Sequence, residues 1–175
     1  QTGYAVVMDV ATGNVISMAS MPDYDTNVWE NMTDDKYKQI QYSVANGTIK
    51  EVYRQGHASS MVLLGSVIKP LTVLIGLNEG VITPYTHYQD RGYAEIGKEG
   101  HTTQIGNSGR HAYGDLTPEE AIHHSSNAFM IDKVGMPLYR KYGTDSVNVW
   151  DKYMKEFGLG VSTKSGLPGE SAGSG

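Results

Sequence analysis

The sequence predicts an α/β chain in which helices pack on an antiparallel sheet. Three observations lead there. Two apolar, β-branched runs, Tyr4 to Val10 and Val15 to Ser20, flank the turn sequence Ala11-Thr12-Gly13-Asn14, the pattern of a β-hairpin. The run Ser66-Val67-Ile68-Lys69-Pro70-Leu71-Thr72-Val73-Leu74-Ile75-Gly76-Leu77 is apolar and helix-competent. Asp145 to Phe157 sets Val149, Tyr153 and Met154 or Phe157 at helical spacing, which predicts an amphipathic helix.

Taken in order, the hairpin comes first. Met21-Pro22-Asp23-Tyr24-Asp25-Thr26-Asn27 then leaves the sheet through a polar loop. Thr33-Asp34-Asp35 reads as a helix cap with acidic first-turn residues, opening a short helix through about Tyr42. Residues 46–60 read as loop. The Ser66 helix follows, with Pro70 near its start, where a missing backbone donor costs little. Gly76, Asn78 and Gly80 weaken it and end it near Glu79. Residues 83–114, rich in Gly, His, Tyr and Thr, read as irregular structure with two short strands at most. Thr117-Pro118-Glu119-Glu120 combines a threonine cap, a first-position proline and a glutamate three residues on, so a short helix runs from there into Ser125. A helix over Asn127 to Val134 and the helix over Asp145 to Phe157, stopped by Gly158-Leu159-Gly160, complete the chain.

The 175 residues suffice for one modest domain with a core. A net charge of −5 without a Lys/Arg cluster argues against a nucleic-acid surface. The absence of cysteine removes disulfide frameworks and cysteine metal sites. The longest apolar run, around Val62 to Leu77, is broken by Gly65, Ser66, Lys69 and Pro70 and is not a membrane span. The chain opens on Gln1 without a signal peptide and closes on Ser171-Ala172-Gly173-Ser174-Gly175. The expectation is an excised piece of a longer protein: residues 1–170 a partial domain, residues 171–175 a flexible tail or engineering scar.

Chemistry centres on Ser66 and Lys69. Three residues apart on a helix, they share a face. A serine hydroxyl is a poor nucleophile until a base takes its proton. A lysine serves as that base when burial or a neighbouring cation keeps it neutral. The pair alone also fits a helix start beside a solvated charge. A second polar cluster, Ser125-Ser126-Asn127, lies further along. The six histidines show no His-Glu-x-x-His spacing and read as surface residues, so no metal and no cofactor are expected. A Ser-His-Asp triad lacks the Gly-x-Ser-x-Gly elbow that would support it. The twelve tyrosines with Trp29 and Trp150 either line a glycan groove or pack in core and edges. Asn31-Met32-Thr33 and Asn46-Gly47-Thr48 fit the glycosylation pattern, which a bacterial source would make irrelevant.

Nearly the whole chain resembles the front part of a class B penicillin-binding protein transpeptidase domain. The stretch Ala5 to Asp25 is similar to that family's opening hairpin and exit loop. Gly65-Ser66-Val67-Ile68-Lys69-Pro70 resembles its nucleophile motif, and Ser125-Ser126-Asn127 its second motif. Phe157-Gly158-Leu159-Gly160 with Gly166-Leu167-Pro168-Gly169-Glu170 resembles the segment that follows. The resemblance implies a truncated penicillin-recognising serine transpeptidase (β-lactamase-like) fold, with the Ser66 helix central. It implies peptidoglycan D,D-transpeptidation, with stem peptides as substrates and β-lactam antibiotics as acylating inhibitors. It places the parent protein, membrane-anchored, at the outer face of the bacterial cell membrane. In that reading Ser66 attacks a D-Ala-D-Ala carbonyl or β-lactam ring and Lys69 takes its proton. Ser125 relays protons to the leaving nitrogen, and Asn127 holds Lys69 and the substrate amide. The Ser66 backbone N–H supplies one oxyanion donor.

Two departures stand out. Leu64 occupies a position where the family usually has proline. The third motif, Lys-Thr/Ser-Gly on an inner strand, is not in its expected place. Lys164-Ser165-Gly166 matches it as text, but precedes Leu167-Pro168-Gly169-Glu170, where the family has a loop, and reads as a decoy. The alternative function is therefore a non-catalytic truncated or engineered fragment acting as a folding or interaction module. A sheet with few strands exposes an edge and an apolar face, which predicts self-association or a complementing chain.

Overall fold

The computed structural model describes residues 3–21, 23–38, 40, 64–98, 100–164, 166 and 172. Its contacts divide the chain into two units, one of Gln1–Val62 with Lys164–Gly173 and one of Leu63–Thr163 with Ser174–Gly175.

In the first unit β1 (Gly3–Met8) pairs antiparallel with β2 (Val15–Met21). The register runs from Gly3 opposite Met21 to Val7 opposite Ser17, then shifts by a bulge to Met8 opposite Val15. Asp9 builds the turn. Its carboxylate accepts from the backbone N–H of Ala11 (2.7 Å) and Thr12 (3.1 Å), which holds its pKa below the usual carboxylate range. Gly13, at φ +74°, takes the left-handed position and donates to the Asp9 carbonyl. Neighbouring strand residues point to opposite faces. Val6 and Val7 are both more than half exposed, as are Ile16 and Met18, so neither face of the hairpin is covered by the described residues.

A 3₁₀ helix, Thr26–Asn31, follows the polar exit loop and is capped by Asp25. Thr33 then accepts from Lys36 N–H at 3.3 Å and starts the expected helix at residue 34. Its expected end near Tyr42, the loop over residues 46–60 and the Asn46 pattern lie outside the described residues.

The second unit opens with a 3₁₀ turn, Gly65–Ile68, that runs directly into α1 (Lys69–Asn78). Ser66 therefore stands on a tight turn ahead of the α-helix it was expected to share. Leu64 enters the turn without any side-chain cap. The buried face of α1 carries Lys69, Thr72, Val73, Ile75 and Gly76. A methyl group at Gly76 would lie 3.0 Å from side-chain carbons of both Ile82 and Val134, so that glycine sets how closely the helix packs.

Residues 83–114 hold more regular structure than their composition suggests. Four strands form two antiparallel pairs: β3 (Tyr88–Asp90) with β6 (Gly114–Leu116), and β4 (Tyr93–Lys98) with β5 (His101–Gly106). The β4–β5 hairpin is largely solvated, and β3 and β6 are three residues each, so neither shows the apolar alternation that announces a strand.

The helix α2 (Pro118–His123) begins with the expected capping box. Glu120 N–H donates to Thr117 Oγ1 (3.3 Å) and Thr117 N–H donates to the Glu120 carboxylate (2.7 Å). The segment expected to end at Val134 continues to Tyr142, as α3 (Asn127–Phe129), a π turn (Met130–Gly135) and α4 (Met136–Tyr142). Pro137 explains the π turn. It has no N–H for a regular helical bond and its ring crowds the preceding carbonyls. The wider turn, in which Met136 N–H reaches back to Ile131 O, lets the helix pass. The last helix, α5 (Ser146–Glu156), buries Met154, whereas Phe157 is 47% exposed, so Met154 is the core residue of the two alternatives. Phe129, fully buried, meets Tyr88 edge-to-face at 5.8 Å within a core completed by Ile75, Leu116, Val134 and Leu138.

Glu79 ties three helices together. It caps the C-terminal end of α1, where the helix dipole disfavours an anion. Tyr142 OH (2.5 Å), Lys141 Nζ (2.9 Å) and Tyr153 OH (2.7 Å) all donate to its carboxylate. These donors win and hold its pKa at about 2. Because the folded pKa is depressed, this stabilisation is complete above the unfolded pKa and is lost as pH falls towards 2. Glu79→Gln is expected to cost about 2 kcal/mol at pH 7. Urea unfolding of parent and variant should show that difference closing between pH 4.5 and 2.

Candidate active site

The second unit brings together three of the four residues singled out from the sequence. Lys69, the first residue of α1, is only 7% exposed. Its amine donates to the Ser125 carbonyl at 2.5 Å and to Ser125 Oγ at 2.9 Å. Ser125 Oγ in turn donates to Ser66 Oγ at 3.0 Å. Ser66 is exposed, at the head of α1. Nucleophile candidate, hydroxyl relay and amine thus form one continuous chain of hydrogen bonds. Ser66 connects to Lys69 through Ser125, rather than by the direct contact that the i, i+3 spacing suggested.

Burial strips water from the Lys69 amine and pulls its pKa below that of a free lysine. Among the described residues both hydrogen-bond partners of the amine are uncharged oxygens, and no ion pair involves Lys69. This is the environment in which a lysine becomes a base.

Asn127 is placed differently from expectation. Its amide donates to the Gly106 carbonyl on β5 at 2.9 Å, and Ser125, not Asn127, holds Lys69. Asn127 therefore joins the second motif to the strand beside it. Ser125 has φ +54°, a left-handed conformation unusual for a residue with a side chain. Of Lys164-Ser165-Gly166, Ser165 lies outside the described residues, and Lys164 and Gly166 belong to the first unit.

The family profile described as the penicillin binding protein transpeptidase domain matches residues 3–175. The chain belongs to the penicillin-binding protein transpeptidase family. Among curated proteins it is similar to peptidoglycan D,D-transpeptidase FtsI of Escherichia coli, with 30% identity over 173 residues, 99% of this chain and 24% of FtsI. It is also similar to peptidoglycan D,D-transpeptidase MrdA of Haemophilus influenzae, with 26% identity over 97% of this chain and 24% of MrdA. The chain thus spans about a quarter of the length of these relatives. Among solved structures it resembles Pseudomonas aeruginosa PBP2 in complex with WCK 5153. That likeness has a TM-score of 0.64 and 25% identity, and covers 98% of this chain and 34% of that one. It bears out the α/β fold expected from the sequence.

Around the family's second motif the structure adds residues that the sequence reading passed over. Asp90, on β3, and Asn107, after β5, are both buried and both reach the Ser125-Ser126-Asn127 turn. The local signal was Asp90-Arg91-Gly92, an aspartate two residues before a glycine, which is turn chemistry but does not reveal a contact 36 residues away. His124 stacks on Tyr113 (4.5 Å) and meets His123 edge-on, while His87 pairs with Asp115 at 2.7 Å. No group of three metal-ligating side chains occurs among the described residues.

In a nitrogen-detected NMR titration, Lys69 Nζ should lose its proton at a lower pH than a lysine in an unstructured peptide. A midpoint at or above the free-lysine value would contradict the effect of burial on the amine.

Proposed function

We propose that the chain carries the nucleophile half of a peptidoglycan D,D-transpeptidase site, with Ser66 as the acylated residue. The observation that carries this reading is the Ser66–Ser125–Lys69 hydrogen-bond chain. For acylation Lys69 is unprotonated and the two hydroxyls turn over, so that Ser66 Oγ–H donates to Ser125 and Ser125 Oγ–H to Nζ. Lys69 then accepts a proton through the Ser125 hydroxyl as Ser66 Oγ attacks the carbonyl of a terminal D-Ala-D-Ala bond. The Oγ–carbon bond forms and the carbon–nitrogen bond breaks. The proton returns through Ser125 to the departing amine, and an amine of a second stem peptide then displaces Ser66. With a β-lactam the same steps open the ring, but the leaving nitrogen stays tethered and the acyl-enzyme persists. The Ser66 N–H, ahead of α1, supports the developing oxyanion. The position of Asn127 beside Gly106 favours an amide that steadies the second motif and its strand. In this reading the full protein is membrane-anchored and works at the outer face of the cell membrane, as peptidoglycan chemistry requires.

One observation favours a second reading, in which this chain is a folding or interaction module. The β1–β2 hairpin leaves apolar side chains exposed on both faces. Such a surface is covered by a second copy or by a complementing chain.

Intact mass after incubation with benzylpenicillin tests both. A covalent increment on the chain, absent from Ser66→Ala and slowed at least ~10²-fold in Lys69→Ala, is the expected result. An increment on the full-length protein that contains this chain, but none on the folded chain itself, selects the second reading. No increment on either overturns the Ser66 assignment.

A further inference from the structure

Asp90 is 1% exposed, and among the described residues no lysine or arginine lies within ion-pair distance of it. A buried carboxylate in that position is costly unless hydrogen-bond donors saturate it. Here they do. Gly92 N–H reaches Oδ1 at 2.6 Å, the Asn107 amide reaches both oxygens at 3.0 and 2.9 Å, and Ser126 Oγ donates to Oδ2 at 2.6 Å. The close fit extends to the backbone. Gly92 is at φ +89°, and a methyl group there would stand 2.5 Å from the Arg110 carbonyl.

Two of these donors lead into the second motif. Ser126 Oγ, while donating to Asp90, accepts from Phe129 N–H at 2.9 Å and so caps α3. Asn107 Oδ1 accepts from Ala128 N–H at 3.1 Å, and its amide also donates to the His111 carbonyl. Ser126 N–H is fixed to the Ala121 carbonyl at 2.9 Å. The residues following Ser125 are therefore held at every polar atom that faces Asp90 or Asn107. Ser125 itself occupies its unfavourable left-handed conformation, which persists only where its surroundings impose it. That conformation is what turns both its carbonyl and its hydroxyl towards Lys69.

We propose that Asp90 is a positioning residue for acyl transfer: through Ser126 and Asn107 it fixes the left-handed turn that presents Ser125 to Ser66 and Lys69. The proposal rests on the transpeptidase reading above and adds to it a residue that touches none of the reacting atoms. Asp90→Asn keeps the shape but replaces one acceptor oxygen by a donor. That group then faces either the Gly92 N–H and Asn107 amide or the Asn107 amide and Ser126 hydroxyl, donors in both cases.

The test is the rate of acylation by fluorescent penicillin per folded molecule of the full-length protein, in Asp90→Asn, Ser125→Ala and the double variant. Asp90→Asn should slow acylation by roughly 10- to 100-fold. In the Ser125→Ala background it should add nothing, because its effect passes through Ser125. An unchanged rate in Asp90→Asn, or the same loss in both backgrounds, overturns the proposal. Should Asp90→Asn not fold, Ser126→Ala removes the link to Asp90 together with the cap on α3 and carries the same two expectations. If the parent protein is not acylated at all, the transpeptidase reading falls, and amide exchange decides the positioning claim. Exchange at Ala128 and Phe129 should then accelerate in Asp90→Asn or Ser126→Ala, with α5 unchanged as an internal reference. Equal protection in parent and variants overturns it.

Discussion

Lys69 is buried at the head of its helix, so its amine must find protein atoms to replace the water it has lost. Ser125 supplies both recorded acceptors, a carbonyl and a hydroxyl from one residue. The left-handed backbone of Ser125, at φ +54°, sets the direction in which the pair leaves the chain that precedes it. The position of α1 relative to the turn before α3 follows from this contact, and so does the place of Ser66, three residues earlier in the chain. The other end of α1 is held by an opposite arrangement. There an anion, Glu79, is held by three donors fixed in place, one of them a cation. One end of the helix holds a cation made reluctant to be charged, and the other an anion made reluctant to be neutral. The first condition suits proton transfer and the second suits a fixed scaffold.

Features encoded by neighbouring residues were legible in the sequence. The β1–β2 hairpin, the Thr117–Glu120 capping box, the end of α1 near Glu79 and the serine–lysine pair all rest on spacings of a few residues. Ser125 and Asn127 were identified by their resemblance to a motif, and the structure shows that they serve different partners. What was not legible depends on distance along the chain. Asp90 meets Asn107 and Ser126 across 17 and 36 residues, and nothing local to any of them predicts the meeting. Two short strands were expected within residues 83–114, but the β4–β5 pair could not be located there for another reason. Its order comes from backbone hydrogen bonds between solvated strands, which leave no periodic trace in side-chain polarity. The helix expected to stop at Val134 continues because the π turn absorbs Pro137, a cooperative solution that no single residue announces.

That π turn also sets a rotational phase. At about 100° per residue, an unbroken α-helix returns to within about 20° of its starting direction after eleven residues. Asn127 and Leu138 are that far apart, so a regular helix would aim the Asn127 amide along the same side as Leu138, into the apolar core. The π turn accommodates one residue more per turn and so takes out roughly one residue's rotation between them. Val134 and Leu138 keep their side of the helix against the core, while Asn127 is wound round to meet the Gly106 carbonyl. The helix thus works as a vernier: its far half is indexed to the core and its near half to the site. Deleting a single residue between 130 and 135 would turn Asn127 away from its partner and leave Pro137 without the wider turn that accommodates it.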